Sequence, residues 1–283
     1  MDFPKSFYSL ILFTFLAIIL VAEEPKVGVI DDLVLKLRFQ KGLEGLHNNN
    51  KGTSLNTLVT QLSRRTTDIE LPEIKLESIH PEKFYSHCKA SILIVGRLYK
   101  CGKCTKWHLS SASGFALSED GVIATNYHVV DSKEGVALGA MDSNGKTFVV
   151  SEVLAANKSD DVAILRLLDA KLTPLPLAER APVGTAVSVI SHPDGRYFTM
   201  TKGDVSRYFV ARTKSGRANR MAITADYAKG SSGAPVLDAT GAVVGMVSAT
   251  NSIYYSREKG HNENLQMVVK SCVPVDAIHR LLR

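Results

Sequence analysis

The sequence predicts an all-β protein built as two lobes, and three observations carry that expectation. From residue 90 onward, short apolar or alternating runs recur every 10–15 residues with turn residues between them, the rhythm of a β-sandwich or barrel. No long helical pattern is interleaved with those runs. A proline-rich joint at 172–182, beginning Leu172-Thr173-Pro174-Leu175-Pro176, divides them into two sets.

Composition supports a globular reading. The 283 residues are 45% hydrophobic and 22% charged, which excludes a disordered, collagenous or multi-span membrane chain. Lys and Arg outnumber Asp and Glu by 34 to 28, for a net charge of +6. The only dense basic stretch is Arg207–Arg220, and no nucleic-acid motif accompanies it, so no nucleic-acid partner is expected.

Taken in order, the chain opens with Lys5, the apolar run Phe7–Ala22 of 16 residues, and then Glu23-Glu24. A basic start, an apolar core and a small residue before polar sequence describe a secretory signal over residues 1–22. The run is shorter than the ~20 residues that span a bilayer. Export is therefore expected, periplasmic or secreted, with an uncleaved membrane anchor as the alternative and the only membrane contact.

Residues 23–78 read as an extension of unknown role. Within it Leu55, Leu58, Val59 and Leu62 recur at helical spacing behind Thr53-Ser54, which predicts a short amphipathic helix. Asn48–Gly52 breaks the chain before that helix. Another helix is expected over Pro81–Cys88, where Pro81 suits a first helical position.

Strands are expected at Ser91–Leu98, Ser113–Leu117, Val122–Thr125, Lys146–Leu154 and Val162–Leu167 in the first lobe, about 88–172. The second lobe, about 182–275, offers Ala186–Ile190, Gly203–Arg212, Met221–Ala225, Ala234–Leu237, Val243–Ala249 and Asn264–Val269. Apolar residues at helical spacing over Val275–Leu282 predict a closing helix.

The cysteines are Cys88, Cys101, Cys104 and Cys272. An even count in an exported chain favours disulfides. If Gly102-Lys103 is a two-residue hairpin loop, Cys101 and Cys104 face each other across it, which leaves Cys88 and Cys272 as the second pair. A zinc site built from all four lacks the usual second Cys-x-x-Cys, and a redox dithiol lacks a strand-to-helix setting. No metal and no cofactor are expected.

Three segments carry chemistry. Gly230-Ser231-Ser232-Gly233-Ala234-Pro235 is a glycine-flanked turn with a serine at its apex, entering a strand. Ala124–Val130 puts His128 at the end of a buried strand, and Ser159–Leu165 puts Asp161 immediately before another, with Asp160 as its solvated neighbour. Each has a dull explanation alone. Together they follow the order His, Asp, Ser, spaced by 33 and then 71 residues, one of the known orders of a Ser-His-Asp constellation. Gly230 and Gly233 let the backbone turn so that the N–H groups of Gly230 and Ser232 converge on one spot, as an oxyanion hole requires.

From Pro81 to Arg283, about 200 residues, the chain resembles the trypsin-like serine proteases, most closely their HtrA/DegP-type branch. Ser113–Leu117 followed by Asp120–Val130 is similar to that branch's strand–turn–histidine signature, and Asp161–Leu165 to its aspartate segment. His192-Pro193-Asp194-Gly195, with Thr201–Ser206, matches its second-lobe stretch. Gly230–Pro235 resembles its nucleophile motif, and Ser271–Leu282 its last strand and helix.

The departures are Ala234, where the family usually has Gly, and Ser231, where it has Asn or Asp. No PDZ domain is expected after the closing helix.

The resemblance implies two antiparallel six-stranded barrels over residues 79–283 and a serine endopeptidase acting on peptides or unfolded proteins. Ser232 would be the nucleophile, His128 its base and Asp161 the group that orients the base. Ser248 and Ala249 would lie in the substrate cleft. Asp226 stands six residues before Ser232, at the spacing where trypsin-type enzymes attract Lys or Arg, although the branch itself favours small or medium apolar side chains. A catalytically latent or inactive peptide-binding protein on the same fold is the alternative, with residues 23–78 as a possible inhibitory arm.

Overall fold

The computed structural model describes residues 28–132, 134–258 and 260–282. The signal segment expected at 1–22 lies outside them. Among the described residues no helix is long and apolar enough to cross a membrane.

Twelve strands close into two six-stranded antiparallel barrels. The first comprises β1 (Ile92–Lys100), β2 (Trp107–Ala116), β3 (Val122–Thr125), β4 (Ala137–Met141), β5 (Thr147–Asn157) and β6 (Val162–Leu167). They pair in the order β1-β2-β3-β6-β5-β4, with β4 returning to β1. The second comprises β7 (Ala186–Ser191), β8 (Thr199–Thr213), β9 (Gly216–Ile223), β10 (Pro235–Leu237), β11 (Val243–Glu258) and β12 (His261–Pro274). It repeats the same order and closes through β7 and β10. Closure removes the exposed edges that short strands would otherwise present.

The strand expectations hold except at β4, which was missed. Its sequence, Ala-Leu-Gly-Ala-Met, is poor in β-branched and aromatic residues and carries little intrinsic strand signal. The β11–β12 hairpin also runs further than expected. Beyond Ala249 its side chains are mostly exposed, including Ile253, Tyr255, Leu265 and Met267, so no alternation marks its ends.

Helices α1 (Asp32–Asn48), α2 (Leu55–Gln61) and α3 (Pro81–Lys89) precede the barrels. Helix α1 is capped by Asp31, whose carboxylate accepts from the Val34 N–H at 3.0 Å. It packs on barrel one through Phe39 and Leu43. The approach is close because glycines face it: a Cβ on Gly96 would lie 2.7 Å from the Phe39 ring, and one on Gly139 2.6 Å from Leu43.

Helix α2 is the predicted amphipathic helix, and its Leu55 and Leu58, with Leu62 just beyond, belong to the core of barrel one. Residues 31–62 are thus part of the packed body and do not form a separable arm. From there the chain bonds across to the second lobe, with the Thr67 N–H donating to the Leu281 carbonyl at 2.8 Å and Ile79 to Ala239 at 3.0 Å. The closing helix α5 (Asp276–His279) is a single turn.

The expected disulfides are not formed, and all four cysteines are free thiols. Lys100 pairs with Trp107 across the β1–β2 hairpin, so the loop spans residues 101–106 and both Cys101 and Cys104 lie inside it rather than opposite each other at its stem. Cys272 belongs to the barrel-two core beside Tyr227, whereas Cys88 packs from α3 against Gly241. Burial pushes each of those two thiols up to about 12, so both behave as inert apolar groups.

Candidate active site

His128 and Asp161 come from barrel one and Ser232 from barrel two. His128 lies on α4 (Tyr127–Val130), a one-turn helix directly after β3, where the sequence predicted the end of a strand. Asp161 occupies the turn before β6 in a left-handed conformation, φ 62°. The Asn126 side chain holds that turn by donating to the Asp161 carbonyl at 2.9 Å.

His128 Nδ1 lies 3.0 Å from both carboxylate oxygens of Asp161. The His128 backbone N–H donates to Oδ1 at 3.1 Å, and the Ser248 hydroxyl to Oδ2 at 2.7 Å. An ionised carboxylate only accepts, so the proton of a neutral His128 ring sits on Nδ1 and leaves a lone pair on Nε2. Asp161 is 15% exposed and the ring 51%, so the acid is sheltered while the imidazole faces solvent.

The Ser232 turn is fixed by contacts from both barrels. From β2, the Ser113 N–H donates to the Ser232 carbonyl at 2.8 Å and the Ser113 hydroxyl to the Gly230 carbonyl at 3.0 Å. Gly233 has φ +88°, and a Cβ there would stand 2.1 Å from the Ser113 carbonyl. Gly230 has φ +96°, with His192 O 2.4 Å from where its Cβ would be. Neither position has room for a side chain.

Ser231, the departure from the Asn or Asp usual in the family it resembles, is fully buried and accepts from the Ser191 hydroxyl at 2.9 Å. The Lys229 carbonyl accepts from the Asp194 N–H at 2.5 Å. Because the peptide is planar and trans, the Gly230 N–H points the opposite way. Among the described residues, neither the Gly230 nor the Ser232 N–H has an internal acceptor.

His128, Gly230 and Ser232 line one cleft together with Val95, Ser111 and Lys229. Within it the Ser232 hydroxyl donates to the Ser248 carbonyl at 3.4 Å, and no hydrogen bond joins it to His128.

The remaining sequence-predicted residues fall as follows. Ser248 touches both Asp161 and Ser232, and Ala249 accepts from the Tyr227 hydroxyl at 3.0 Å. Asp226 is 83% exposed and pairs with Lys270 at 3.0 Å, outside the lining of the Ser232 cleft. Asp160, expected to be solvated, is buried and paired with Arg280 at 2.9 Å.

Arg220 was not singled out from the sequence. It is 6% exposed and donates to the Ser159 carbonyl at 3.0 Å, bracing the aspartate turn from barrel two. Burial pulls its guanidinium below the ordinary value, opposed by the nearby carboxylates of Asp161 and Asp160. No sequence signal marked it, because it stands among other arginines in a basic hairpin.

Residues 112–246 match the family model of the trypsin-like peptidase domain. The chain carries a trypsin-like peptidase domain. It is 34% identical over 151 residues to Protease Do-like 1, chloroplastic, of Arabidopsis thaliana, covering 50% of this chain and 34% of that protein. To a probable periplasmic serine endoprotease, DegP-like, of Halomonas elongata it is 31% identical over 171 residues, covering 59% and 33%. The chain therefore spans about a third of the length of these homologues. Among solved structures, the active form of the Rv3671c protease from M. tuberculosis superposes with a TM-score of 0.56 at 23% identity, over 76% of this chain and 90% of that one. That likeness concerns the fold.

Proposed function

We propose that this protein is an exported serine endopeptidase that cleaves peptides or unfolded proteins through an acyl-enzyme, with the two barrels of residues 79–283 as its protease domain and residues 31–62 packed into the first of them. The observation that carries the reading is the His128 Nδ1–Asp161 pair, 3.0 Å to both oxygens, in one cleft with Ser232. Ser232 Oγ attacks the scissile carbonyl while His128 Nε2 takes its proton and later returns it to the leaving amine. Asp161 fixes the ring tautomer and stabilises the imidazolium. The Gly230 and Ser232 N–H groups, free of internal acceptors, receive the developing oxyanion. The reaction needs no metal or organic cofactor.

For this mechanism the Ser232 hydroxyl must leave the Ser248 carbonyl and turn to His128. A 3.4 Å hydrogen bond is weak, and rotation about one side-chain bond is a small step before a substrate-bound geometry. Asp226 is exposed, paired with Lys270 and outside the lining of the Ser232 cleft, so no acid there attracts Lys or Arg, and small or medium apolar side chains are preferred.

The alternative, a latent peptide-binding protein, is favoured only by that resting Ser232–Ser248 bond. Hydrolysis of an unfolded, fluorescently quenched protein by wild type and by His128→Ala distinguishes the two. Turnover abolished in the variant supports the endopeptidase; binding without turnover in both supports the alternative.

A further inference from the structure

Away from the Ser232 cleft, the loop joining β1 to β2 gathers three ligand atoms that the reaction does not use. Cys101 Sγ, Cys104 Sγ and a ring nitrogen of His108 all lie within 4.8 Å of one another. The two sulfurs are 3.5 Å apart, and Cys104 Sγ is 3.2 Å from His108 Nε2.

Local structure explains the grouping. His108 is the second residue of β2, paired with Tyr99 on β1, and the two rings lie 5.4 Å apart at a tilt. The imidazole therefore turns Nε2 toward the loop. The loop itself is tethered at its base, where Lys100 Nζ donates to the Thr105 carbonyl at 3.1 Å and sits 4.4 Å over the Trp107 ring.

We propose that Cys101, Cys104 and His108 form a binding site for one borderline-soft divalent cation of the zinc class, with water as the fourth ligand. Tetrahedral zinc, with bonds of about 2.3 Å to sulfur and about 2.0–2.1 Å to nitrogen, sets its ligand atoms about 3.8 Å apart for two sulfurs and about 3.5 Å apart for sulfur and nitrogen. The Cys101–Cys104 and Cys104–His108 separations are those edges contracted by about 0.3 Å, and the Cys101–His108 pair closes the triangle within 4.8 Å. They are far from the ~2.05 Å of a disulfide. The spacing Cys-x-x-Cys-x-x-x-His keeps all three ligands on one hairpin, and the thiolate and imidazole set excludes magnesium and calcium.

Binding is balanced by the release of two thiol protons, with a neutral His108 ligating through Nε2 and keeping its proton on Nδ1. Both cysteines are exposed, so the cation has direct access. The consequence reaches the neighbouring cleft. Tyr99, Leu109 and Ser111 of the same hairpin line a cavity beside Gly230, so a cation that closes the loop stiffens one wall next to the Ser232 turn.

The test uses the full chain, reduced and freed of metal, titrated with zinc against a chromogenic chelator and separately with cobalt(II). One equivalent of zinc is expected per chain, together with sulfur-to-cobalt charge-transfer absorption and the intense visible bands of tetrahedral cobalt. Zinc is also expected to block the two thiols that react with a disulfide reagent in the folded protein. Cys104→Ser and His108→Ala, both on or beside the exposed loop, should each weaken binding at least about 100-fold. The proposal is overturned if His108→Ala binds zinc as tightly as wild type. It is equally overturned if the reduced protein takes up no metal and Cys101 and Cys104 merely reoxidise to a disulfide.

Discussion

Replacing Asp161 by Asn changes one atom and tests the orientation of His128. The carboxylate accepts from three donors: the His128 N–H at 3.1 Å, His128 Nδ1 at 3.0 Å and the Ser248 hydroxyl at 2.7 Å. An amide offers one acceptor oxygen and an NH₂ that only donates. If that oxygen stays with the His128 backbone, the NH₂ faces the Ser248 hydroxyl, which can rotate to accept. His128 Nδ1, equidistant from both positions, is then pressed by a donor and becomes an acceptor. The proton moves to Nε2, where it blocks transfer from Ser232.

Such a tautomer error costs about 10⁴ in kcat, or about 5.5 kcal/mol of transition-state stabilisation. Substrate binding is untouched, so KM should hold within about threefold. The assay is steady-state hydrolysis of a quenched peptide at slightly alkaline pH, with thermal unfolding to show that the variant folds. A loss of kcat below tenfold in a folded Asp161→Asn protein would refute the reasoning.

Three further outcomes are expected. His192 is fully buried, accepts from the Phe198 N–H through Nδ1, and reaches the Leu93 carbonyl through Nε2; burial lowers it to about 4. A folded-state value below the unfolded ~6.5 means stability is complete above pH 6.5 and lost as pH falls from there to about 4. The lost amount is about 3 kcal/mol, and denaturant titrations across that range should show the slope reduced in His192→Gln.

Gly233→Ala forces a left-handed residue, at about 1–2 kcal/mol, and a methyl against the Ser113 carbonyl. Calorimetry should show a melting point lower by several degrees, and kcat should fall by about 10²–10³ as the Ser232 amide is displaced. Asp226→Ala should leave the preference for Val over Arg at the cleaved position unchanged, since Lys270 already occupies that carboxylate; a collapse of Arg cleavage in the variant would mean that Asp226 reads the substrate.

Both barrels were legible because their strands obey local rules: Val122–Thr125 and Val162–Leu167 are continuous apolar runs between turn signals, and they are β3 and β6 to the residue. The His, Asp and Ser segments were legible because their turns demand glycine or a short polar residue. What failed was set by non-local packing. Helix α1 was not predicted, because it buries only Phe39 and Leu43 and so carries too narrow an apolar stripe to mark a helix. The helix is selected by the Asp31 cap and by the glycine-lined face of barrel one. The two-residue turn expected between Cys101 and Cys104 is absent because the β1–β2 register leaves six residues in the loop. Arg220 and the Ser248–Asp161 bond join barrel two to the aspartate turn, a contact that no window of sequence contains.

The most direct test of the central claim is labelling of the full chain with a fluorophosphonate probe, beside Ser232→Ala and His128→Ala. Stoichiometric labelling of wild type and none in either variant is expected, because only a serine activated by His128 reacts. Wild type left unlabelled, or labelling that persists in Ser232→Ala, would contradict it.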